Sequence, residues 1–137
     1  MIVVDTNVIA YLMIRTAHSG DADRAFDQDS QWAAPFLWRS EFRNVLTRYL
    51  SSGLMDLATA VEYSRDAHLL VEGRESHVDS ASVLTLAAQS GCSAYDCEFV
   101  ALAQDLGVPL VTADRRLAAK FRTTAIPLRE FVRASRL

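Results

Sequence analysis

Cysteine, histidine, glycine and proline are all scarce in this chain of 137 residues, and each shortage closes off a class of protein. Cys92 and Cys97 stand five apart rather than as a CxxC pair. His18, His68 and His77 have no zinc-type spacing with them or with each other. Structural zinc and thiol catalysis are therefore disfavoured, and two small buried thiols in a reducing, cytoplasmic setting are expected. The three prolines and five glycines are dispersed, with no linker, repeat or low-complexity run. Residues 1–137 are accordingly expected to form a single domain. Apolar runs are only a few residues long, against the roughly 18 needed to cross a bilayer. Met1-Ile2-Val3-Val4-Asp5 offers no basic region ahead of an apolar stretch, so neither a secretory signal nor a membrane span is expected. Walker, GxGxxG and GxSxG motifs are absent, which speaks against nucleotide hydrolysis, dinucleotide redox chemistry and α/β-hydrolase chemistry.

What is present suits a soluble globular fold: 50% of residues are hydrophobic and 23% charged. A chain of this length buries roughly two-thirds of its unfolded surface, so its core needs no metal or disulfide. The net charge of −3 hides an asymmetry. Residues 1–113 carry seven basic and fifteen acidic side chains, a balance of −8. Residues 114–137 carry seven basic side chains (Arg115, Arg116, Lys120, Arg122, Arg129, Arg133, Arg136) against Asp114 and Glu130, a balance of +5. Such a split suggests an acidic site with a basic border or a partner of opposite charge; a solvated amphipathic surface is the plainer alternative.

Short apolar runs alternate with helical patterns along the chain. Strands are expected at Ile2–Val4, Trp32–Ala34 (stopped by Pro35), weakly at Glu75–Val78, at Pro109–Thr112 and at Thr124–Ile126. Helices are expected over 7–14, 20–29, Phe36–Ser52, Asp56–Glu72, Ser80–Ser90, Ser93–Leu106, Asp114–Phe121 and the C-terminal segment, with Gly53, Gly73, Gly91 and Gly107 as stops. Runs such as Ile2-Val3-Val4 lack polar alternation, the pattern of strands buried on both faces and joined by right-handed helical crossovers. The expected fold is a three-layer α/β domain with a central parallel β-sheet flanked by helices, whose ligands bind beyond the carboxyl ends of the strands.

Four acids stand where such a site would form. Asp5 follows the first strand, Asp114 follows the Leu110–Thr112 strand, and Asp96 lies in the first turn of a helix. Glu41 sits on a helix beside its apolar stripe, a costly place for a carboxylate without a partner. Singly, Asp5 and Asp114 also read as helix N-caps, Ser93-Ala94-Tyr95-Asp96 as a capping box, and Glu41 as half of an ion pair. Together they read otherwise. Four carboxylates at ~4 Å repel by a few kcal/mol per pair at an effective dielectric near 20. One or two divalent cations would neutralise them, and carboxylates with open positions suit Mg2+ or Mn2+ beside phosphate oxygens. Phosphodiester hydrolysis by metal-activated water is the chemistry expected. Arg115 and Arg116, next to Asp114, are either phosphate contacts or solvated helix positions. The Trp32, Phe36 and Trp38 cluster reads as core rather than a base-stacking platform, and the three histidines read as surface or structural positions.

The motifs in order resemble the PIN-domain family. Val3-Val4-Asp5-Thr6-Asn7-Val8-Ile9, Glu41-Phe42-Arg43-Asn44-Val45-Leu46, Tyr95-Asp96-Cys97-Glu98-Phe99-Val100-Ala101-Leu102-Ala103 and Leu110-Val111-Thr112-Ala113-Asp114-Arg115-Arg116-Leu117 resemble its four motifs from end to end of the chain. A PIN domain of this size is similar to the VapC-type toxins of toxin–antitoxin pairs. That resemblance implies a Mg2+- or Mn2+-dependent endoribonuclease, with Asp5, Glu41, Asp96 and Asp114 as catalytic metal ligands. It also implies that Thr6 or Thr112 positions a carboxylate or bound water, and that Asn7 braces the loop. A homodimer and a small VapB-type antitoxin are implied as partners. Some relatives carry a further acid after the fourth motif; here Arg115 and Arg116 stand there, so one ion or two stays open. Glu98, one step from Asp96, is expected to face solvent, the alternative being that it helps bind a metal through water. The competing readings are a PIN-like module that binds RNA or protein without turnover, and a PIN nuclease acting on DNA.

Overall fold

The computed structural model describes residues 1–134; residues 135–137, with Arg136 of the basic segment, lie outside the described residues. The described elements are β1 (Ile2–Val4), α1 (Thr6–Met13), α2 (Ser19–Gln28), β2 (Trp32–Pro35), α3 (Leu37–Ser51) and α4 (Leu57–Leu70), followed by β3 (Glu75–Ser76), α5 (Ser80–Ser90), α6 (Ala94–Leu106), β4 (Leu110–Thr112), α7 (Arg115–Lys120), β5 (Ala125–Pro127) and α8 (Leu128–Ala134). The strands form a parallel sheet in the order β3-β2-β1-β4-β5. This is the expected three-layer α/β arrangement with a central parallel sheet flanked by helices.

β1 lies at the centre because its three residues are apolar and β-branched and fit between two neighbours; all three are buried. α6 packs across β1, β2 and β4, and Phe99, Val100, Leu102 and Ala103 supply its buried stripe. Caps set the helix ends. Asp5, Asp56, Asp79, Ser93 and Asp114 each accept a backbone N–H of the first helical turn. Gly91 (φ 74°) and Gly107 (φ 66°) close α5 and α6 in the left-handed conformation that glycine adopts without penalty.

The expected elements are present, with shifted ends. Pro35 is the last residue of β2 rather than a stop before it. β3 keeps only two of the four residues expected, because pairing with β2 ends at Pro35–Ser76. Trp32 and Trp38 are core, but Phe36 is half-buried, with the His77 ring 4.6 Å away and the Arg39 guanidinium over its face. Cys97 is buried as expected, whereas Cys92 is only half-buried.

Successive strands run outward from β1 through β2 to β3, then return to β4 on the other side of β1. The direction of winding therefore reverses between β1 and β4. In open α/β sheets that reversal opens a crevice at the carboxyl ends of the strands. Asp5 follows β1 and Asp114 follows β4, so both acids sit at its mouth.

Candidate active site

A cavity of about 190 Å3 at this crevice is lined by Asp5, Glu41, Asp96 and Asp114, the four acids expected to meet. They come from four separate elements: the end of β1, the middle of α3, the first turn of α6 and the turn after β4.

Asp5 is held most firmly. Its Oδ1 accepts the Val8 N–H at 3.0 Å, capping α1. Its Oδ2 accepts the Thr112 hydroxyl and, at 3.0 Å, the Ala113 N–H. Thr112 is fully buried, and its Oγ1 also accepts the Asp114 N–H at 2.9 Å. Across the cavity the Thr6 hydroxyl donates to Glu41 Oε1 at 2.7 Å, the partner that a carboxylate on this part of α3 needs. Both threonines thus position a carboxylate. Asp114 Oδ1 takes the Arg116 and Leu117 N–H groups at 2.9 and 3.1 Å. Asp96 stays next to the Ser93 hydroxyl, which accepts its N–H at 3.0 Å and whose hydrogen bond to the carboxylate opposes the rise that burial causes. The capping geometry read from Asp5, Asp114 and Ser93 is present, and it coexists with convergence on one cavity.

The electrostatics are those of crowded acids. Burial pushes the Asp5 carboxyl up, against the pull of its three hydrogen bonds, and the Asp114 charge pushes the same way. Burial also raises Glu41, opposed by the Thr6 hydroxyl and reinforced by Asp96, Asp5 and Glu98. Asp96 is raised by burial and then by Asp114.

The donor set is oxygen only, as a hard cation prefers. Among the described residues no three His, Cys, Asp or Glu side chains form a ready-made metal cluster. A Mg2+-like ion that keeps most of its waters needs only one or two direct carboxylates, so the lining fits such an ion without further gathering.

Other expected residues are distributed differently. Asn7 is exposed along the cavity and makes no side-chain hydrogen bond to the described residues; Asp5 and Thr112 hold the loop in its place. Arg115 lines a neighbouring cavity, and Arg116 is exposed on α7. Glu98, expected to face solvent, is half-buried against a second cavity with Phe36 and His77, near enough to raise Glu41. Sequence reasoning missed Arg48, the basic side chain of the carboxylate lining. The signal was helical spacing: Glu41, Asn44, Val45 and Arg48 fall at i, i+3, i+4 and i+7 of one α3 face.

The family model of the PIN domain matches residues 2–122. Ribonuclease VapC3 of Pyrobaculum aerophilum is 32% identical over 130 residues, covering 92% of this chain and 98% of that protein. The crystal structure of PAE2754 from Pyrobaculum aerophilum superposes with a TM-score of 0.74 at 24% identity, over 98% of this chain and 96% of the other, a likeness of fold. With motifs in order, the four acids at one crevice and matches that span nearly its whole length, the chain belongs to the PIN-domain family, among its VapC-type members.

Proposed function

We propose that this chain is a divalent-metal-dependent endoribonuclease, the toxin of a VapBC-type pair, acting as a single PIN-like domain over residues 1–137. The observation that carries the reading is the convergence of Asp5, Glu41, Asp96 and Asp114 on one cavity from four stretches of chain. A purely structural role gives no reason to gather four carboxylates, one buried and two half-buried, on a single cavity. Kinship with a protein named as a ribonuclease supports the substrate.

Asp96, whose only partner among the described residues is the Ser93 hydroxyl, and Asp114, with one oxygen in capping bonds, would hold Mg2+ or Mn2+. Asp5 and Glu41, fixed by Thr112 and Thr6, would orient the waters around it. When bound, the ion supplies a nucleophilic water and neutralises charge on the phosphate. Arg48 on the same lining is placed to meet a phosphate oxygen. A homodimer in the cytoplasm and a small VapB-type antitoxin whose tail enters the acidic cavity complete the proposal. Among the described residues no helix is long and apolar enough to cross a membrane.

The test is cleavage of structured RNAs by protein freed of any antitoxin, with Mg2+, Mn2+ or EDTA. Asp96→Asn and Asp114→Asn are the informative variants: Asp96→Asn keeps the backbone N–H that donates to Ser93, and Asp114→Asn keeps a capping oxygen, since asparagine caps a helix about as well as aspartate. Metal-dependent cutting by the parent, lost in folded variants, supports the reading. Cleavage that ignores both substitutions removes these acids from the site. A parent that binds RNA but never cuts it with either metal is a binding module, and one that cuts only DNA is a deoxyribonuclease.

A further inference from the structure

A larger cavity, about 800 Å3, adjoins the carboxylate one. α7, the turn after it and α8 contribute Arg115, Arg122, Arg129 and Arg133 to its lining, while α1 and the turn before α2 contribute Tyr11 and His18. All four arginines are exposed. Among the described residues, Arg115, Arg122 and Arg133 form no salt bridge. Arg129 comes only within 4.0 Å of Asp21, which Arg24 already contacts at 3.2 Å. Asp21 and Glu130 share the lining, yet Arg115, Arg122 and Arg133 enter no ion pair among the described residues and leave planar guanidinium donors free for phosphate oxygens.

The two cavities meet at one point. Thr112 and Ala113 line the arginine cavity, and both donate to Asp5 in the carboxylate cavity. Arg115 directly follows Asp114. A polyanion lying along the arginines is therefore brought beside the carboxylate cavity, and their charge offsets the repulsion of the acids.

The opposite rim decides between two anionic occupants. The Tyr11 and His18 rings lie 4.7 Å apart between centroids and tilt by 30°, with His18 exposed. An unpaired base has a π-face to lay against them. An acidic protein segment can take hydrogen bonds from that rim but has no flat base to stack on it. We infer that this groove holds the phosphates of unpaired RNA nucleotides flanking the cleaved bond, with one base against the Tyr11–His18 pair. The inference rests on the ribonuclease reading above and adds which face of the protein carries the strand.

The experiment is fluorescence anisotropy of a labelled single-stranded RNA oligonucleotide with the intact chain in EDTA, over a series of salt concentrations. The variants are Arg122→Gln with Arg133→Gln, His18→Ala, and Arg65→Gln as an exposed control on α4. The double variant is expected to bind at least about tenfold more weakly and to lower the slope of log affinity against log salt by roughly 1.4, about 0.7 per phosphate contact on a single strand. His18→Ala is expected to weaken binding about fivefold or more, the lower end for lost base stacking. Thermal melts should show all variants folded, because none of these side chains is buried. An unchanged affinity and slope in the double variant, an equal loss in Arg65→Gln, or no RNA binding by the parent overturns the inference. A glutamate-rich peptide that binds the parent more tightly than RNA, and loses this in the double variant, reassigns the groove to an acidic protein segment. Cleavage with Mn2+ is scored separately. A parent that cuts RNA yet binds it without these arginines refutes the groove alone. Groove-dependent binding without cleavage refutes the nuclease reading alone.

Discussion

The Thr112 hydroxyl joins two acids that chain order keeps far apart, donating to Asp5 and accepting the Asp114 N–H. Thr112→Val keeps the shape and removes both bonds inside a fully buried position. It is expected to cost about 1–3 kcal/mol in urea denaturation, the usual penalty for orphaning buried polar groups. The acids themselves should separate under amide substitution. In Asp5→Asn, whichever way the amide turns, its NH2 faces a backbone N–H that now donates to Asp5, either Val8 or Ala113. A loss of about 1–3 kcal/mol is expected by the same argument, whereas Asp114→Asn, which still accepts through its Oδ1, should stay within about 0.5 kcal/mol. Equal melting of the two variants would contradict this account. The positions of these acids were legible in the sequence because each follows a strand or opens a helix. Their hydrogen-bond partners were legible only as types, since whether Thr6 or Thr112 serves a given carboxylate depends on how α3 and β4 meet β1. Arg48 was not legible as a lining residue, because a basic side chain on a helix reads as solvated until the opposing wall is in place.

At the scale of elements, β3 depends on one carboxylate. Glu75 accepts Arg39 Nε and Nη2 at 2.6 Å each, together with Trp38 Nε1 at 2.6 Å, and so ties this two-residue edge strand to the start of α3. The Arg39 guanidinium, with Trp38, holds the Glu75 carboxyl below its ordinary value against its burial. A depressed folded pKa stabilises the fold above the unfolded value, and that contribution is lost as pH falls through the folded one. Glu75→Gln is therefore expected to cost about 1–2 kcal/mol near neutral pH, discounted for the partial exposure of Arg39. The gap to the parent should close as pH falls through and below the ordinary carboxylate range. Urea midpoints across that range check the sign; a gap that widens in acid would refute it. The sequence announced most helices through their caps and glycine stops, but it overran β3. Glu75–Val78 offers only a weak strand signal, with three polar residues before Val78, and the pairing that defines the strand ends where β2 runs out at Pro35.

Over the whole molecule, Asp5, Glu41 and Asp96, raised chiefly by burial and further by neighbouring charge, leave the fold short of its best stability until a cation joins them. A divalent ion that binds only the folded state should therefore stabilise it. At about one hundred times its Kd the gain is ~2.7 kcal/mol, or roughly 10 °C for a chain of this size. Scanning calorimetry with Mn2+ should show that shift in the parent and little of it in Asp96→Asn combined with Glu41→Gln; an equal shift in both would place the ion elsewhere. The α/β layering was legible in the sequence because doubly buried strands lack polar alternation. The arginine groove was legible only as a surplus of charge, since α1 and α2, which form its other rim, lie a hundred residues away in sequence. The sheet's outer strands bear on how such a chain survives at high concentration. β3 offers two residues and β5 three, the last a proline with no N–H to lend. Neither margin gives a stray strand much to zip onto, so crowded or newly made copies have little route to fibrous stacking through this sheet.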